Sequence, residues 1–236
     1  MARSHGKNIR LLVNSAHVSG DITGWGGTHQ RAYGDITTPL DDGDRWLPGR
    51  VSGEMRIKGL FDDDAGSLWA VADAVSGTDD GLLVTAMPEG LAAGGVALIT
   101  LTDVESVTAD AGIDDAVPIE IQAKPDYGVD MGVILHALAA ETADADGDSV
   151  DGAASTARGG AASLHVTAYS GLTSAVVKVQ HSADDSAWSD LATFATATDV
   201  THELVTVTGT VNQYVRASVD VTGTGSITFA VAFARR

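Results

Sequence analysis

Near the end of the chain, residues 227–234 read "ITFAVAFA". Every second residue, Ile227, Phe229, Val231 and Phe233, falls on one face, and smaller residues fall on the other. That period of two is the signature of a β-strand, and a large inward side predicts a central one. The same alternation recurs upstream in "SLHVTAYSG", "SAVVKVQHSAD", "AWSDLATFAT", "HELVTVTG" and "NQYVRASVDVTG", each closed by Gly, Asp, Ser or Thr. Six or seven short strands without helical periodicity predict a small antiparallel β-sandwich of immunoglobulin-like type over residues 163–236. Residues 1–140 supply further strand candidates: "NIRLLVN", "GEMRIKGLFD", "DGLLVTAMPEG", "GVALITLTDVESVTA", "VPIEIQAKPDYG" and "DMGVILHAL". Only "DDDAGSLWAVADAVSG" breaks the pattern. There Leu68, Trp69, Ala72 and Val75 recur at helical spacing, acids precede them and Gly77 follows, which predicts a helix near 66–76 that buries Leu68, Trp69 and Val75 on a sheet.

Between these regions large apolar residues almost vanish, and "ETADADGDSVDGAASTARGGAA" predicts a flexible acidic Gly/Ala/Asp-rich linker over 141–162. The expected organisation is therefore mainly β: a first β domain with one flanking helix (1–140), a linker, and a C-terminal β-sandwich (163–236). A chain of 236 residues can bury a substantial core in either domain. It has no cysteine, which excludes a disulfide framework, a thiolate metal site and a cysteine nucleophile. The apolar run after the N-terminus is too short for a signal-peptide core or a membrane span, so a soluble product made in the cytoplasm is expected.

Charge changes the picture more. The formal net charge is −18, from 32 acids against 14 bases, which opposes nucleic-acid binding. The acidity is uneven: residues 1–141 hold 22 acids and 9 bases, whereas residues 163–236 hold 6 and 4.

Candidate chemistry is sparse. The seven histidines form no HxH, HxxxH or HExxH pair. "DADGDSVDG" (144–152) has the look of a calcium loop, but its sixth and twelfth positions are Ser149 and Ser155 instead of Gly and Glu, so a solvated acidic linker is expected. No GxSxG elbow occurs, and "GWGGTHQ" (24–30) lacks the lysine and following helix of a phosphate cradle, so it reads as a turn or mobile loop. No catalytic residue, cofactor or metal is implied. One stretch stands out: "RWLPGRVSGEMRIKGLFDDD" (45–64) begins with a basic, Trp-bearing segment that Pro48 and Gly49 predict to be a looped turn, and ends on Asp62, Asp63 and Asp64. Trp and Arg dominate many protein–protein contacts, so Arg45, Trp46, Leu47 and Arg50 are candidate contact residues, the alternative for Trp46 being a cap on the core.

The order of these features resembles the major tail tube proteins of long-tailed, siphovirus-like bacteriophages, especially those of actinobacterial hosts. The resemblance lies in "SGDIT", "LPGRVSGEMRIKGLFDDD", the helix "GSLWAVADAV", the hairpin region "ALITLTDVESVTADAGIDDAVPIEIQAKPDYG" and the C-terminal "SLHVTAYSGLTSAVVKVQHSADDSAWSDLATF". It implies a tail-tube-type β-sandwich or barrel that assembles as hexameric rings, the rings stacking into a conduit for genome ejection, with an accessory sandwich exposed outside. It further implies that the chain's partners are copies of itself and the tail terminator, tape measure and distal tail proteins, that DNA is passing cargo, and that the protein resides in the virion after assembly in host cytoplasm. By position, residues 38–52 form the long loop that reaches a neighbouring subunit or ring. Its acidic counterpart is Asp62–Asp64, Asp79 and Asp80, or residues 110–115. A conduit lined by carboxylates would repel DNA phosphates. The alternative is a capsid or tail decoration protein whose sandwich binds a partner or a carbohydrate through Trp188, Tyr169 and Tyr214.

Overall fold

The computed structural model describes residues 6–78, 80–110, 116–126 and 128–236. After one turn of 3-10 helix (Gly6–Asn8), the chain forms β1 (Arg10–Val13), β2 (Ala16–His17), β3 (Ile22–Asp35) and β4 (Trp46–Leu60), then helix α1 (Leu68–Val75). β5 (Leu82–Met87), β6 (Val96–Ala109), β7 (Pro118–Pro125) and β8 (Asp130–Glu141) follow. The remainder is β9 (Ala145–Asp146), β10 (Val150–Asp151), β11 (Gly160–Ser182), β12 (Ser189–Thr193), β13 (Thr201–Val207) and β14 (Tyr214–Arg235). The fold is mainly β with one α-helix among the described residues, as the alternation in the sequence predicts.

Helix α1 starts where Ser67 accepts the Ala70 N–H through its hydroxyl at 3.2 Å, and the Asp21 carboxylate accepts the Leu68 N–H at 2.9 Å. These acceptors occupy orphan donors of the first turn. The helix buries Leu68, Ala72 and Val75 against Leu11, Val13, Ile57, Val84 and Ile121. Trp69 is only half-buried, tilted against Phe61 with ring centres 5.1 Å apart, because it lies at the margin of the helix's buried stripe.

In the C-terminal region the pairs of short segments expected from the sequence fuse. "SLHVTAYSG" and "SAVVKVQHSAD" are halves of one long strand, β11, and "NQYVRASVDVTG" and "SITFAVAFARR" are halves of β14, its antiparallel partner along nearly its whole length. Register shifts interrupt the ladder between Val166 and Ser174, where Gly171 (φ 74°) and Gly223 (φ 102°) take a left-handed backbone that side chains disfavour. Across this bend the buried parity of β11 switches from Ala162, Leu164 and Val166 to Ala175, Val177 and Val179, and all six line one core with Val215, Val219, Phe229 and Phe233. The long strands therefore present both halves to one interior.

β14 is central, between β11 and β8, as its pattern predicts. Its small face, however, is also buried. Ala230, Ala232 and Ala234 lie against Leu12, Leu83, Met87, Ile99 and Ile134, so the alanines let a second layer of strands approach closely. At the same junction Asn14, Thr85, Ser163 and His165 form a buried polar chain.

The segment 141–162, expected as a flexible linker, is hydrogen-bonded to β14 instead. Ala145 and Asp146 pair with Val219 and Ser218, and Val150 and Asp151 with Val215 and Tyr214. The acids that suggested a tether serve as acceptors: Asp144 takes the Val221 N–H at 2.8 Å, and Asp151 takes the Ala153 N–H at 2.7 Å and the Gln213 side-chain N–H at 2.9 Å. Asp146 pairs with Arg216 at 2.9 Å. β8, from the first region, runs beside β14, so the hydrogen-bonded ladder continues across the expected boundary.

Candidate assembly interface

Strands β3 and β4 pair along almost their full length, but β7 supports β4 only from Met55 to Leu60. Beyond the point where His29 and Val51 meet residues 128–129, residues 31–35 and 46–50 project as a two-stranded arm, about 17 Å long for five residues at ~3.3 Å each. Tyr33, Trp46 and Leu47 are more than half exposed, and Leu40 at the tip is 95% exposed. A lone two-stranded ribbon is marginal in water, and clustered large apolar side chains on a surface mark a contact site.

The tip is nonetheless built. Asp35 accepts the Thr37 N–H at 2.9 Å, Asp41 accepts the Thr38 N–H at 2.7 Å and its hydroxyl at 2.8 Å, and the Thr37 hydroxyl accepts the Arg45 N–H at 2.9 Å. These donors hold both carboxyls below the usual carboxylate range, chiefly through Thr37 for Asp35 and through Thr38, then Arg45, for Asp41.

Trp46 does not cap the core; it is exposed on the arm and shares an apolar notch with Tyr33. The turn expected at Pro48–Gly49 is instead continuous strand, and the connection between the two arm strands lies at residues 36–45. Pro48 is tolerated because β4 has only one partner there and the ladder is already irregular opposite it, between Arg31 and Tyr33. Arg45 is exposed and bonded to Asp41 at 3.1 Å, and Arg50 is the second exposed cation of the expected basic segment. Asp62, Asp63 and Asp64 lie beyond the opposite end of β4, so up to about 45 Å of extended strand separates them from Trp46. Their carboxylates lie within 4.8 Å of one another and are exposed, in a turn where Asp62 accepts the Asp64 N–H at 2.9 Å. Asp79 and residues 111–115 lie outside the described residues; Asp80 and Asp110 are described.

Sequence reasoning missed the sheet edges. "GWGGTHQ", expected as a turn or mobile loop, is the middle of β3, extended and paired with β4. Strands β3, β4, β7 and β6 form a four-stranded antiparallel sheet. Among the described residues the outer edge of β3 has no strand partner, and neither does β6 beyond Thr102 on the side away from β7. One face of this sheet, with Met55, Ile57, Ile119, Ile121 and Ala123, packs under α1. The other is solvent-facing and carries Glu54, Arg56, Lys58, Glu120, Gln122 and Lys124 in register. Only the alternation of residues 54–58 hinted at this, since edge pairing leaves no local mark.

Several of the described histidines have structural partners. His29 accepts the Val129 N–H and His181 the Asn212 N–H, both at 3.2 Å, and His136 stacks on Phe229 with ring centres 4.1 Å apart. Towards the C-terminus, Trp188 has its ring covered on one side by the Arg216 guanidinium at 4.4 Å, and the Tyr169 hydroxyl donates to the Ala197 carbonyl. The groove beside α1, 840 Å³, is lined mainly by Ala70, Val71, Ala74 and Val200, with Asp80 and His202 as its titratable groups.

Neither a protein-family model nor a curated protein sequence matches the chain. Solved structures show remote likenesses. One is the virion of a native gene transfer agent particle (12% identity, 55% of this chain and 98% of that one, TM-score 0.45). Another is the SPP1 tail tube (15% identity, 55% and 78%, TM-score 0.44). A third is the SPP1 Dit protein, a hub of the adsorption apparatus in phages infecting Gram-positive hosts (12% identity, 94% and 98%, TM-score 0.35). At these scores the likenesses settle neither family nor function.

Proposed function

We propose that the chain is a structural subunit of a bacteriophage tail tube, polymerising as stacked rings of six copies around a channel for the genome. The observation that carries this reading is the β3–β4–β7–β6 sheet: among the described residues it is open along β3 and along β6 beyond Thr102, and an apolar-tipped arm projects from it. Open edges are a liability in a monomer and a pairing surface in an assembly. Because the four strands alternate in direction, β6 of one copy beside β3 of the next continues the antiparallel order, and a ring can close without a defect. Six copies of four strands make a barrel of about 24; at ~4.8 Å spacing and ~40° tilt its diameter is roughly 50 Å between opposite backbones, wider than a DNA duplex.

Stacking needs the two ends of a subunit to differ and to complement each other. The arm, with Trp46, Leu47, Tyr33 and Arg50, is one end, and the acidic turn Asp62–Asp64 beyond the far end of β4 is a candidate for the other. In this reading the C-terminal β unit faces outwards, the protein resides in the virion, DNA is cargo, and terminator, tape measure and distal tail proteins meet the ends of the tube. Electron microscopy of the concentrated protein tests it: six-fold rings or tubes support it, and a small closed oligomer that never stacks opposes it.

A further inference from the structure

The solvent face of the β3–β4–β7–β6 sheet is not a carpet of carboxylates, although the chain carries −18 overall. Glu120 sits between two cations, accepting from Arg56 at 3.0 Å and Lys58 at 3.4 Å, and also from Gln122 at 3.1 Å. In the next row Lys124 donates to Glu105 at 2.6 Å, and Glu54 adds to the negative field at that ammonium. Hydrogen bonding to Glu105 first, and its charge second, raise the Lys124 pKa above the usual range. Glu105 reaches Lys124 because it is the extra residue of the β6 irregularity between Val104 and Ser106. Asp103, opposite Lys124 in the register, completes the row. Each cation of the face thus has a carboxylate partner on an adjacent strand.

Resting on the tube reading, we propose that this face is the channel lining and that it passes DNA by masking its cations: Glu120 neutralises Arg56 and Lys58, and Glu105 neutralises Lys124. A phosphate approaching the face must displace a carboxylate to gain a lysine or arginine, so the exchange yields little, and no counterion-releasing contact forms. Half-exposed pairs of this kind contribute little to folding, so removing the carboxylates leaves the subunit intact while freeing three cations per copy.

The test is retention of duplex DNA by the full-length protein at low salt, comparing wild type with Glu105→Gln/Glu120→Gln and with the charge-matched control Asp73→Asn/Asp199→Asn. All three are imaged for rings and tubes and melted to check folding. The expected result is negligible DNA retention by wild type and control, and at least tenfold more by the double variant. Its affinity should fall with salt on a log–log slope of about −2.7, three phosphate contacts at ~0.9 each. Tubes that retain no more DNA in the double variant, or equal retention by the control, would overturn this inference alone. A chain that forms neither rings nor tubes would overturn the tube reading and this inference with it.

Discussion

Acidification should weaken the fold, most of all through one residue, His165. Its ring is fully buried where the small face of β14 and the strands of the first region meet. The Asn14 carbonyl, 2.6 Å from Nδ1, can only accept, so Nδ1 carries the proton; Nε2 then accepts the Thr85 hydroxyl at 2.7 Å, and Thr85 accepts from Ser163 at 3.0 Å. The chain of donors is complete only for neutral imidazole. Burial, opposed by the bond to Asn14, lowers the pKa from 6.5 to about 4. Because the folded value is the lower one, the unfolded chain binds the proton first, and stability falls as pH drops from 6.5 towards 4. With these two values the loss is roughly 1 kcal/mol at pH 5.5 and roughly 2–3 kcal/mol at pH 4.5, approaching a limit of about 3 kcal/mol. The assay is urea unfolding of wild type and His165→Asn between pH 4.5 and 7.5. The variant retains an amide donor for Asn14, is less stable at pH 7.5, and lacks this titration. His17, His181 and His202, also lowered chiefly by burial, and the carboxylates titrate in both proteins, so the difference isolates His165. Parallel stability–pH curves for the two proteins would refute the reasoning.

Other consequences are separable. Trp46→Ala/Leu47→Ala should leave the monomer's melting temperature within a few degrees of wild type, because both side chains are exposed, yet raise the concentration needed for polymerisation at least tenfold, as read by sedimentation. Gly171→Ala places a Cβ at φ 74° and 2.7 Å from the Thr224 carbonyl oxygen, and should cost at least ~1–2 kcal/mol in urea unfolding. Asp144→Ala/Asp151→Ala removes acceptors for Val221, Ala153 and Gln213 and should speed amide exchange and proteolysis across residues 144–153, with the core of β11 and β14 still protected.

The predictions above rest unevenly on what the sequence displays. The run from Ile227 to Phe233 announces a central strand because large and small side chains alternate strictly between its two packed faces, and α1 is legible from Leu68, Ala72 and Val75 together with its acidic N-terminal flank. Three features depart from their local sequence signal for physical reasons. Pro48 and Gly49 carry turn chemistry, but a strand with a single partner at an irregular stretch tolerates them. The acids of residues 144–151 resemble a solvated tether, yet Asp144 accepts the Val221 N–H and Asp151 accepts the Gln213 side-chain N–H, both far away in sequence. "GWGGTHQ" has turn composition but is held extended by β4. The candidate interface was half visible: Trp46 and Leu47 were singled out, whereas the open edges of β3 and β6 emerge only once non-local pairing is known.

The central claim is that open sheet edges close into rings that stack. Cryo-electron microscopy of the concentrated full-length protein tests it most directly. Six-fold rings, with β6 of each copy paired to β3 of its neighbour around a lumen and the Trp46 arm seated on an adjacent copy, are the predicted result. A closed oligomer that leaves those two edges in solvent and does not stack would contradict it.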